Sequence, residues 1–154
     1  MTWNTGKESI SRMIENKELT RVPASLEMSD YLLVKAEEAV KSCELLCQHD
    51  MWHQAVTTVW DATRFSLAAL LQAQGLRYSE KASHSIIVEA STYQFENILK
   101  RQLRIARQLL RERNDNSYPD TLNEVEPEEV LNFLETAKEI LAISKETVKV
   151  LTVF

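Results

Sequence analysis

The sequence predicts an all-α protein, an up-and-down bundle of five to six helices, and two observations carry that expectation. Glycine and proline are scarce: only Gly6 and Gly75, and only Pro23, Pro119 and Pro127, occur among 154 residues. A β-rich fold needs more turn glycines than that. Over long stretches, apolar residues also recur every three to four positions, the spacing of one helix face. The composition, 44% apolar and 27% charged, suits one globular domain long enough to bury most of its unfolded surface.

Residues 7–19 place Ile10, Met13 and Ile14 on one side and predict a short amphipathic helix. Pro23 ends anything continuous there. Ser29 is a suitable N-cap for a second helix running to about residue 48. Residues 51–74 are the most hydrophobic segment, with Val56, Val59, Trp60, Phe65, Leu67 and Leu70 around most of the circumference. A helix apolar on several sides belongs at the centre of a bundle, and Gly75 closes it as a C′ residue. The loop LRYSEKASH follows, then a helix beginning near His84.

Residues 94–113 predict a long helix with unlike faces. Phe95, Ile98, Leu99, Leu103, Ala106, Leu109 and Leu110 form its apolar side, and Lys100, Arg104, Arg107 and Arg111 its basic side, with Arg101 adjacent. The polar stretch NDNSYPDTLNE breaks the pattern. The last helix should start at Pro127, a good first residue flanked by Glu126, Glu128 and Glu129, which suit the positive helix end.

No apolar run approaches the roughly 20 residues of a membrane helix, and no segment reads as a signal peptide. A cytoplasmic protein without membrane association is the expectation. Cys43 and Cys47 share the face of Leu33, Ala36 and Val40 and read as packed thiols in a reducing compartment. Together with His49 and His53 they match no common zinc spacing, so no metal and no other cofactor is expected. The net charge of −5 makes any nucleic-acid footprint local, and the basic stripe is the candidate track for phosphates. Its bland alternative is a solvated helix face.

Two features stand out against the helical pattern. Arg113 falls on the apolar side of its helix, in register with Phe95, Ala106 and Leu110. It either caps its own helix end or points into a cleft where it would hold a phosphate. Asp61 and Arg64 interrupt the central helix three residues apart. They form either a plain intrahelical pair or part of a functional network.

These residues carry a family resemblance. The stretch VWDATRFSLAALLQAQGLRYSEKASH resembles the second main helix and following loop of HEPN domains (higher eukaryotes and prokaryotes nucleotide-binding). There an apolar helix ends in glycine and a histidine follows. LLRERNDNSYP resembles their signature: an arginine, usually followed by asparagine, then four to six residues, then histidine. Arg113 and Asn114 match it, but Tyr118 stands where the histidine belongs, an R-N-x-x-x-Y arrangement similar to a bacterial branch that also has the aspartate–arginine pair. The resemblance covers residues 28–150 as the core bundle, leaving 1–24 as a short helix and linker of the same single domain, 1–154.

The resemblance implies a bundle that dimerises, bringing two signature arginines to a shared cleft. Many members look like metal-independent ribonucleases, often toxins or defence effectors; others bind nucleotides or RNA, or serve as interaction modules. Carried onto this chain, it implies binding of RNA or a nucleotide by Arg113, Asn114, Tyr118, Asp61 and Arg64, with His84, Arg107 and Arg111 as further candidates. The expected partners are a second copy and an antitoxin-type protein. One alternative is a metal-independent endoribonuclease with Arg113 and Tyr118 as catalytic residues, although a phenol with a pKa near 10 is a poor general base at neutral pH. The other is a non-catalytic helical interaction module.

Overall fold

The computed structural model describes residues 5–79 and 81–154. It contains five helices and two three-residue strands: α1 (Lys7–Glu15), β1 (Leu19–Arg21), α2 (Leu26–Gln48), α3 (Trp52–Ala73), β2 (Leu76–Tyr78), α4 (Ser85–Ser117) and α5 (Pro127–Thr147). Helix α3 is central, packing against α2, α4, α5 and β2. Val56, Val59, Leu67, Leu70 and Leu71 on it are fully buried, as its all-round hydrophobicity predicts. Among the described residues no helix is long and apolar enough to cross a membrane.

The expected first helix is shorter than 7–19. It stops at Glu15 because Lys17 takes a left-handed conformation, φ 61°. Leu19 then enters β1, which pairs antiparallel with β2, Leu19 opposite Tyr78 and Arg21 opposite Leu76. The segment read as a loop, LRYSEKASH, therefore begins as a strand, while its Glu80 lies outside the described residues. Gly75 makes this possible. Its φ of 77° turns the chain directly from α3 into β2, and a Cβ there would lie 2.8 Å from the Val22 carbonyl oxygen. Ile10, Met13 and Leu19 are buried in the same core as the bundle helices.

Helix α2 starts one turn earlier than expected. Ser25, not Ser29, is the N-cap, its hydroxyl accepting from the Met28 N–H at 3.1 Å. Ser29 is instead fully buried, and its hydroxyl oxygen lies 3.0 Å from both the Ser25 and Ala69 carbonyl oxygens, which share its single proton and tie α2 to α3. Helix α5 begins at Pro127 as expected.

The two helices expected around His84 and over 94–113 are the arms of one bent element. Leu99 breaks the helical geometry with φ −129° and ψ 19°. The bend is large, because Arg107 Nη2 donates to Thr92 Oγ1 at 2.7 Å. In a straight helix those residues would be separated by about 22 Å of rise. The arms fold back on each other, so Ser85 and Val88 of the first line one groove with Leu110 and Asn114 of the second.

Candidate functional site

Helix α3 presents Trp60, Asp61 and Arg64 within one turn. Arg64 Nε donates to Asp61 Oδ1 at 2.8 Å, with the arginine side chain 24% and the aspartate 39% exposed. A pair this accessible contributes little by itself. Its role is orientation: the guanidinium also stacks 4.1 Å over the Phe65 ring and donates from Nη1 to the Tyr78 hydroxyl at 3.4 Å. Strand β2 thus fixes the outer end of a side chain rooted on α3.

His84, the residue before α4, meets this group from the other side. Trp60 Nε1–H donates to His84 Nδ1 at 3.0 Å, and the rings stack with centroids 5.9 Å apart. An indole N–H only donates, so Nδ1 must be unprotonated and the ring proton sits on Nε2. Burial lowers the His84 pKa, and the Arg113 and Arg64 charges lower it further, with Asp61 opposing. His84 is therefore a neutral imidazole whose remaining polar group is an N–H donor. The sequence marks Trp60 only as core; its place one turn before Arg64 is the available signal.

Arg113 lies on the second arm of α4, and its charge bears on His84. Its Nη1 donates to Asn114 Oδ1 at 3.2 Å, while Nε is enclosed without a hydrogen-bond partner. Asp61, Arg64, His84 and Arg113 therefore share one electrostatic neighbourhood, which carries two guanidiniums against one carboxylate. The bend at Leu99 is what delivers Arg113 there.

Of the other sequence candidates, Asn114 is tied to Arg113 directly, and Tyr118, Arg107 and Arg111 lie along the same end of α4. Tyr118 caps the end of α4, its backbone N–H donating to the Asn114 carbonyl at 2.9 Å, and is 76% exposed. Asn114, Arg107 and Arg111 line the groove between the α4 arms, about 390 Å³ in volume, next to the cluster. Lys100, Arg104, Arg107 and Arg111 are exposed along that arm, and Arg101 pairs with Glu139 at 3.2 Å. Cys43 is buried and donates weakly to the Ala55 carbonyl at 3.7 Å; burial pushes its thiol up to about 12. His53 is engaged by Asn116 at 2.7 Å.

A search of curated proteins finds no match. The HEPN domain model matches residues 29–147, from the buried Ser29 of α2 to the end of α5, and so spans every residue of the cluster. The helical architecture agrees with that match, and the chain belongs to the HEPN domain family.

Proposed function

We propose that the protein binds a phosphate of RNA or of a nucleotide between Arg113, Arg64 and His84, without cleaving it. One observation carries this reading: the Arg64 guanidinium and the free Nε2–H of His84 line the wall of the same cavity, and Arg113 adds a second positive charge that bears on His84. An anionic oxygen in that cavity would accept from both donors and meet the positive field. The exposed cations of the second α4 arm extend the positive surface from this point.

The cleavage alternative is the weaker one. A general base needs a free lone pair, and the His84 lone pair at Nδ1 is held by Trp60. Tyr118 is an exposed phenol, a poor base at neutral pH. In EDTA, wild type and Arg113→Ala should leave a labelled RNA equally intact; cleavage by wild type alone would establish the nuclease instead.

Binding is tested by anisotropy of a labelled RNA across a salt series. Affinity should fall steeply with salt, and Arg113→Ala should weaken it roughly tenfold or more. Unchanged binding in the variant would leave the helical interaction module as the better reading. We extend the proposal to a homodimer that brings two Arg113 sites together. Tyr118 and Leu122, 76% and 103% exposed, lie just beyond the α4 end that carries Arg113 and support a contact there. In a toxin–antitoxin or defence setting, a neutralising partner would cover the same face.

A further inference from the structure

We infer that the ligand is a nucleotide unit with an unstacked base, its phosphate at Arg113, Arg64 and His84 and its base in the neighbouring cavity between α2, α3 and β2. This rests on the phosphate reading above. The cavity measures about 460 Å³ and is lined by Leu32, Phe65, Ala68 and Leu76, with Arg64 and His84 also in its wall. Such a volume, apolar with a few convergent polar groups, is that of a small-molecule site. Those two polar residues are the link: each belongs both to the positive cluster and to the apolar cavity. A ligand that satisfies the cluster therefore has an apolar space directly beside its anionic end.

The walls suit a planar ring. The Arg64 guanidinium carbon lies 4.1 Å over the Phe65 ring centroid, and Lys35 Nζ lies 4.8 Å from the same centroid. Guanidinium groups and aromatic rings are both surfaces on which a base stacks. The Tyr78 hydroxyl accepts from Arg64 and keeps its own proton for a ring acceptor. A base inside a duplex cannot enter such a cavity without being extruded. The chemistry is shared by a free mononucleotide and by a single-stranded RNA end or loop.

The test compares four probes by calorimetry: adenosine monophosphate, ribose 5-phosphate, a single-stranded RNA hexamer and a blunt duplex of the same sequence. The two probes that offer an unstacked base are the monophosphate and the hexamer. At least one of them should bind roughly tenfold or more tighter than its control, ribose phosphate or the duplex respectively. Whichever does so identifies the source. Ala68→Phe, or Ala82→Phe on the adjoining loop, should abolish that preference while ribose phosphate binding persists. Folding of both variants is checked by circular dichroism. Equal binding of each probe and its control, or a preference that survives both fillings, would overturn the base cavity. Arg113→Ala separates the layers: if it abolishes binding that shows no base preference, only the cavity inference fails. If it changes nothing, the phosphate site fails with it.

Discussion

His84 shows how one hydrogen bond decides a residue's chemistry. With Nδ1 accepting from Trp60 and two guanidiniums nearby, protonation would require breaking the indole bond and adding a third positive charge. The lowered pKa has a thermodynamic sign. The unfolded chain, with an ordinary histidine near 6.5, binds a proton that the folded one resists. The His84 contribution is therefore fully present above about pH 6.5 and is lost as pH falls from there toward the folded value. Denaturant midpoints measured at pH 5.5 and 7.5 should differ more for wild type than for His84→Gln. Nitrogen-15 spectra should show the Nε2–H tautomer at neutral pH, and a charged ring there would contradict the Trp60 geometry.

At the scale of the element, short-range chemistry sets where helices begin and end. Ser25 and Ser29 are both competent caps, and α2 begins at the earlier one. Ser25→Ala should cost about 1 kcal/mol of stability by urea denaturation. Gly75 is more demanding, because a side chain there meets both a left-handed φ of 77° and the Val22 carbonyl at 2.8 Å. Gly75→Ala should cost about 2 kcal/mol or more and weaken the β1–β2 pairing. The bend in α4 has no such local marker. Leu99 is fully buried and its φ is negative, a conformation open to any residue, so nothing in its identity announces the break.

For the whole molecule, the net charge of −5 contrasts with a locally positive cluster and the arm beside it. Binding driven by that local field should be strongly salt-dependent although the protein as a whole is acidic. The proposed dimer has its own check. Sedimentation at micromolar concentration should give twice the 17.7 kDa chain mass. Tyr118→Glu with Leu122→Glu should shift it to the monomer, and a monomeric wild type would remove the shared cleft. Binding at the cluster within one chain would stand regardless, since Arg64, His84 and Arg113 come from the same protomer.

The sequence by itself determined the helical class, the central position of α3, the closing glycine at 75, the start of α5 at Pro127 and the misplaced Arg113. These follow from rules that act within a few residues: helical periodicity, caps and backbone freedom. It also held the short stretch, Arg113 and Asn114, that resembles part of the family signature. Only the tertiary structure decided that Leu99 folds α4 back, that 19–21 pairs with 76–78, and that Ser29 is buried against α3. It also gave His84 to Trp60, 24 residues away in sequence. Each of these is a contact between distant segments, fixed by how whole helix faces pack, and periodicity along one helix carries no information about its partner across the bundle.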